Sequence, residues 1–147
     1  MSAKETDMNP DSYIGMSFPL RRDILNNFAM TKNSLEQSRH NLRNLLLTYP
    51  GERVGQDEFG SRLRELCFEP SDADLPEKIE EEVRRATELW LPYINIEEVR
   101  TLTDEQDENK IFVRIRYATT LTPDVMNQID LDTSYTGTVD ESTGYRT

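Results

Sequence analysis

The apolar residues of this chain keep two different periods, and the change falls at one place. Between Ser34 and about Leu91 they recur every three to four residues. From Ile94 onward they alternate. A 3.6-residue period buries one stripe of a helix, and a two-residue period buries one face of a strand. Helices therefore come first and strands follow. That segregation gives an α+β fold: about three helices packed on a small antiparallel sheet of two to three strands.

Local chemistry sets the expected boundaries. Asn33 stands where a cap belongs and Glu36, three residues on, completes a capping box. This predicts a helix over Ser34–Leu47 with Leu35, Leu42, Leu45 and Leu46 on one face, ended by Tyr49-Pro50-Gly51. A short second helix is expected over Gly60–Phe68, capped by Asp57, with Leu63, Leu66 and Cys67 inward. The third runs from Leu75 to about Leu91. Asp74 and Glu77 form its capping box, Pro76 sits in the first turn, and Pro92 stops it. Leu75, Ile79, Val83, Ala86 and Trp90 follow its inner stripe, and Glu81 with Arg85 makes an i,i+4 pair outside.

In the second half, Ile94 and Ile96 alternate, and Val99 and Leu102 follow after a bulge. An acidic connection leads to Lys110–Thr120, where Ile111, Val113, Ile115 and Tyr117 share one face and Phe112, Arg114 and Arg116 the other. The pair reads as a β-hairpin. Thr122-Pro123-Asp124 suggests a short helical turn, and Gln128–Tyr135 a third strand. Residues 1–12 read as a flexible arm and 136–147 as a flexible tail, leaving one domain over 13–135. Tyr13–Leu20 is expected to lie extended on that domain, while Arg21–Met30 fits either a helical turn or a loop.

The formal net charge is −11 and it is uneven. Residues 1–60 carry 7 basic and 8 acidic side chains, and residues 61–147 carry 10 and 20. Such a surface repels phosphate backbones and anionic lipid, which excludes nucleic acid and membranes as partners. No apolar run approaches the roughly 18 residues of a membrane span. Met1–Pro10 lacks the apolar core of a secretory signal, so assembly in a cytoplasm is expected. One cysteine and one histidine make neither a disulfide nor a zinc site of the usual kind. The glycines stand too far apart for a phosphate loop, so no cofactor is expected. Cys67 reads as a buried hydrophobe and His40 as a surface or structural residue. Glu52, Asp57 and Glu58 lie together on one loop, yet nothing in the sequence gives them the cleft that carbohydrate hydrolysis requires.

That loop is the most informative stretch of the chain. Leu46-Leu47-Thr48 ends a helix, Gly51-Glu52-Arg53 follows a Pro-Gly turn, and Glu58-Phe59-Gly60 leads into the next helix. On physical grounds Gly51 permits a left-handed turn, Glu52 and Arg53 hydrogen-bond the loop backbone or each other, and Phe59 plugs the gap between helices. The pattern resembles the signature loop of the lysozyme-like baseplate wedge family of contractile phage tails, which is related to a type VI secretion baseplate subunit. Leu66 with Phe68-Glu69-Pro70, the opening Ile14-Gly15-Met16-Ser17-Phe18-Pro19, Trp90–Ile96 and Asn109–Tyr117 follow in the family's order, so the resemblance covers about residues 13–135. Asp57 stands where the family often has Pro, and Leu91-Pro92-Tyr93 where it has Glu-Pro-Arg.

The resemblance implies a structural, non-enzymatic virion protein. Its partners would be the sheath protein and the core-bundle wedge proteins, with tube or hub proteins as further candidates. Thr48, Gly51, Glu52, Arg53, Phe59 and Gly60 would form the family loop. Trp90, Leu91, Pro92 and Tyr93 would occupy the wedge-docking position, with Trp90, Leu91 and Tyr93 as apolar anchors. A hairpin built on Ile94, Ile96, Val99, Ile111, Phe112, Val113, Arg114, Ile115, Arg116 and Tyr117 would start the sheath by strand addition, its arginines facing a partner's carboxylates. Two other readings stand beside this one. The first is an adaptor that binds through an exposed Ala86/Trp90 face. The second is a small peptidoglycan hydrolase using Glu52 and Glu58.

Overall fold

The computed structural model describes residues 3–9, 11–17, 20–25, 27–68, 73–103 and 111–132. The order is α1 (Ala3–Asp7), β1 (Gly15–Met16), β2 (Met30–Thr31), α2 (Ser34–Leu47), α3 (Leu63–Cys67), α4 (Leu75–Trp90), β3 (Ile94–Thr103), β4 (Ile111–Thr119) and β5 (Thr122–Asp132). The α+β class holds, with four helices rather than three and two antiparallel sheets rather than one. The additional helix, α1, lies where an arm without periodicity was expected. It is tied to the body, since Asp7 Oδ1 accepts from the N–H and hydroxyl of Ser34 at 2.7 and 2.8 Å.

The α2 boundaries match the expectation residue for residue. Asn33 is extended at φ −130° and its Oδ1 accepts the Glu36 N–H at 2.7 Å, which satisfies one of the orphan donors of the first turn. The α4 boundaries match as well, but its cap does not. Asp74 sits at φ −88°, ψ −4°, already helical, and its side chain makes no cap bond. A capping carboxylate reaches the N2 or N3 amide from an extended backbone, so this conformation removes the box. The outer pairs are also corrected. Arg84 joins Glu80 at 2.9 Å and Arg85 joins Glu82 at 2.7 Å, in place of Glu81 with Arg85.

The second helix is shorter than predicted and begins at Leu63, with Arg62 rather than Asp57 at its cap position. Gly60 and Ser61 are held elsewhere. The Ser61 N–H donates to the Thr48 carbonyl at 2.9 Å and its hydroxyl to the Leu46 carbonyl at 2.9 Å, stitching the chain back onto the end of α2.

The larger sheet is an antiparallel meander in the order β3-β4-β5. Its register breaks between Ile96 and Glu98, where the alternation had suggested a bulge. Thr122-Pro123-Asp124 is the start of β5 and not a helical turn. The chain reverses at Thr120-Leu121, where Thr119 pairs with Thr122 and their hydroxyls stand 2.9 Å apart. Pro123 to Met126 then bulge before Asn127 pairs with Tyr117. Residues 133–135, expected to extend this strand, lie outside the described residues, as do the expected tail and most of the acidic connection.

One face of this sheet is buried by the helices. Ile94, Ile111, Val113, Ile115, Tyr117, Ile129 and Leu131 join Leu42, Leu45 and Leu46 of α2, Leu63 of α3, and Ile79, Val83 and Ala86 of α4 in a single core. The small sheet, β1 with β2, is anchored by Thr31. Its side chain is fully buried, and its hydroxyl, with one proton to donate, lies within hydrogen-bond reach of the Gly15 carbonyl and of Gln37 of α2. Among the described residues no helix is long and apolar enough to cross a membrane.

Candidate functional site

The loop from Thr48 to Gly60 is a closed surface loop whose ends meet. The Gly51 N–H donates to the Asp57 carbonyl at 2.8 Å across its neck, with Gly51 at φ 92°. Glu52 and Arg53 do not pair with each other. Glu52 accepts the Tyr49 N–H at 2.9 Å and faces Arg64 at 3.8 Å. The Arg53 guanidinium lies over the Phe59 ring, 4.6 Å from its centre. Phe59 is 8 % exposed and meets the edge of Trp90 at 5.2 Å between centroids and 68° between planes. The phenylalanine thus plugs the gap between loop and helix, as the sequence implied, and the gap belongs to α4.

Gly60 completes the neck at φ 127°, and a Cβ there would run into the backbone carbonyl of Thr48. Phe59 and Gly60 pack the end of the loop against α4 and the exit of α2, while Gly51, Glu52 and Arg53 stand exposed around it. Glu52, Asp57 and Glu58 point outward into solvent. A groove of about 290 Å³ does lie between α3 and α4, but it is lined by Arg62, Glu65, Leu66, Lys78, Glu81, Glu82 and Arg85. Neither Glu52 nor Glu58 lines it. Among the described residues no group of three or more His, Cys, Asp or Glu is placed to hold a metal.

Trp90 to Tyr93 turn mostly inward. Leu91 belongs to the core, which removes it as a free anchor. Tyr93 is half-buried, its hydroxyl accepts from Asn41 Nδ2 at 2.9 Å, and its carbonyl accepts the Thr120 N–H at 2.9 Å. Pro92 alone of the four is exposed. The Ala86/Trp90 face proposed for an adaptor is interior, since Ala86 is fully buried and Trp90 packs on the core.

The hairpin splits into the two expected faces, but its strands do not have equal edges. β4 is central and paired on both sides, so it cannot accept a further strand. The free edges belong to β3 and β5. At the β3 bulge, Arg84 reaches across from α4 and donates to the Ile96 carbonyl at 2.7 Å and to Glu97 at 3.5 Å. A side chain occupying edge carbonyls at a bulge blunts that edge. Among the described residues β5 has only β4 beside it.

The outer face is already matched in charge. Arg114 grips Asp130 through two bonds of 2.9 and 3.1 Å. Arg116 and Arg100 share Glu98 at 3.2 and 2.6 Å. Arg100 first, and then Arg116, hold the Glu98 carboxyl below the usual carboxylate range. In the chain by itself these arginines are ion-paired within the sheet, at positions open to solvent. The sequence reading missed Arg84 as the guard of one edge and β5 as the owner of the other. The alternation from Gln128 onward announced the second half of β5, and Pro123, a residue that sheets confine to edges and bulges, was the signal for its place at the edge.

Residues 33–124 match the family described as Baseplate wedge protein gp25. The chain belongs to that family. The match starts at the cap of α2, takes in the packed loop, α4 and the β3–β4 hairpin, and stops three residues into β5. Membership gives this wedge protein a structural role in the baseplate of a contractile tail. Among solved structures it is similar to a candidate tail lysozyme of Geobacter sulfurreducens, at 27 % identity and TM-score 0.61, covering 71 % of this chain and 94 % of that one. It is also similar to a chain of the anti-feeding prophage baseplate, at 22 % identity and TM-score 0.63, covering 71 % and 82 %. A chain of the post-contraction pyocin R2 baseplate shares 20 % identity at TM-score 0.52, covering 68 % and 97 %. The last two speak for the fold. No curated protein matches the chain.

Proposed function

We propose that this wedge protein docks on the core bundle of the baseplate and starts the sheath by accepting a sheath strand on the β5 edge of its sheet. The observation that carries the reading is the inequality of the two edges. Arg84 and a bulge blunt β3, whereas among the described residues β5 ends the sheet with no further strand beside it. Unpaired edge groups hydrogen-bond an incoming strand, and the ladder supplies affinity without demanding a particular sequence. Assembly takes place in the host cytoplasm, before the particle is complete. The membership of the gp25 family supports the baseplate; the geometry supports the choice of edge.

The test is co-expression with the sheath protein and the wedge proteins encoded nearby, followed by affinity purification and electron microscopy. Sheath that nucleates only when this chain is present supports the proposal. Within it, Asn127→Pro and Gln128→Pro form the discriminating pair. Successive residues of a strand turn their N–H groups to opposite sides, so one variant breaks the internal ladder and the other removes only an outward donor. The variant that keeps its fold is expected to bind wedge proteins and fail to start sheath. Normal sheath from that variant would remove β5 from the mechanism.

A further inference from the structure

The described residues before α2 hold an unusual share of exposed apolar surface. Ile24 is 104 % and Leu25 79 % exposed, and Leu20, Phe28, Met16, Met30 and Tyr13 stand in solvent as well. They belong to one antiparallel ribbon. Ile14, Ser17, Asp23 and Ala29 donate backbone hydrogen bonds across it at 2.8 to 3.0 Å, and Arg22 bridges to Phe28. The register places Met16 opposite Met30 and Arg22 opposite Phe28, so these four share a face. The other face is the anchored one, carried by the buried Thr31. At the tip, Asp23 Oδ1 accepts the N–H groups of Leu25 and Asn27 at 2.8 and 3.0 Å. That fold-back holds the Ile24 and Leu25 side chains outward.

A two-stranded ribbon is marginal in water by itself, and contiguous exposed apolar groups on a small domain mark contact sites. Charge narrows the partner. Residues 13–32 carry Arg21, Arg22 and Lys32 against Asp23 alone, a net of +2 in a chain of −11. At the tip Arg21 and Arg22 outnumber Asp23, so it is basic as well as apolar. We propose that this ribbon is the surface that docks the chain to the baseplate, and that its occupant is a groove on a neighbouring wedge protein with an apolar floor and an acidic rim. The inference rests on the baseplate reading above. It assigns wedge docking to the ribbon and leaves the sheet edge for the sheath. It also shifts docking away from Trp90–Tyr93, which are largely committed to the core.

The test uses the full chain, the same wedge proteins and the same sheath protein. Ile24→Ser with Leu25→Ser changes two exposed residues, and an unchanged thermal midpoint shows that the body is intact. The double variant is expected to hold the wedge proteins about a hundredfold more weakly, the loss of two aliphatic anchors, and to bind sheath protein as before. Arg21→Glu is expected to weaken wedge binding further at low salt than at high salt. Wedge binding at full strength in the double variant overturns the proposal. So does loss of sheath binding instead of wedge binding, or a wild-type self-association in sedimentation that the double variant abolishes, which would make a second copy the occupant. If the wild-type chain holds neither wedge nor sheath proteins, the baseplate reading itself falls and takes this inference with it.

Discussion

Gly60 and Gly51 both have positive φ, yet only one of them is crowded. Gly60 lies under the Thr48 carbonyl, whereas nothing approaches the Cβ position of Gly51 within 4 Å. Alanine at Gly51 is expected to cost about 1 kcal/mol of backbone strain. Alanine at Gly60 is expected to cost roughly 2 to 3 kcal/mol, because strain and collision add and the α2 exit must shift. Thermal unfolding of the two variants checks the order. Glu82 supplies a pH-dependent counterpart. Burial would raise its carboxyl, but the Arg85 hydrogen bond and the Arg62 N–H outweigh that and hold it below its ordinary value of 4.5. A depressed carboxyl contributes stability above the unfolded value and loses it as pH falls through the folded one. Stability should therefore decline below about pH 4.5, and Glu82→Gln should flatten that acid limb at a cost of roughly 1 kcal/mol near neutral pH. The glycine at 51 was legible because a Pro-Gly turn announces itself locally. The failed cap at Asp74 was not, since the right residue sits on a backbone that is already helical, and residue type does not report backbone angles.

Strands β3 and β4 were readable as a hairpin because their alternation is clean on the buried side. What alternation does not contain is the order of strands, and that order decides which of them is an edge. The third strand escaped in its first half because Thr122-Pro123-Asp124 carries turn chemistry one step too late. The true reversal uses Thr120-Leu121, and the proline sits in a bulge where a missing N–H does no harm. The consequence is a change of mutational logic. Val113 is fully buried in the central strand, so Val113→Pro is expected to unfold the sheet, at about 3 kcal/mol or more, with loss of the strand signal in circular dichroism. A folded Val113→Pro protein would contradict the three-stranded order. The edge can be probed without that collapse only on β5.

At the scale of the whole molecule, one core ties α2, α3 and α4 to the sheet, with Tyr117 among its largest fully buried side chains. Burial pushes the Tyr117 hydroxyl up to about 12, against the opposing charge of Arg39 and with a smaller push from Tyr93. A phenol raised in the folded state keeps its contribution below the unfolded value of 10 and loses it as pH climbs toward 12. Thermal midpoints should hold to about pH 10 and fall above it, and Tyr117→Phe should lessen the fall. The packed loop of the candidate site was legible because its residues are neighbours in sequence. The ribbon and the open edge were not, because both are properties of how distant segments are arranged: an apolar stretch broken by Gly15 and Pro19 gives no hint that its far end stands free of the core.

The seam between Phe59 and Trp90 gives this protein a reporter of its own. Trp90 is the sole tryptophan beside six tyrosines, so emission excited on the red edge, where tyrosine does not absorb, comes from one place, where the loop after α2 closes on the end of α4. That tryptophan emission is a record of the junction: its colour tracks whether water has entered between loop and helix, and its lifetime tracks the ring beside it.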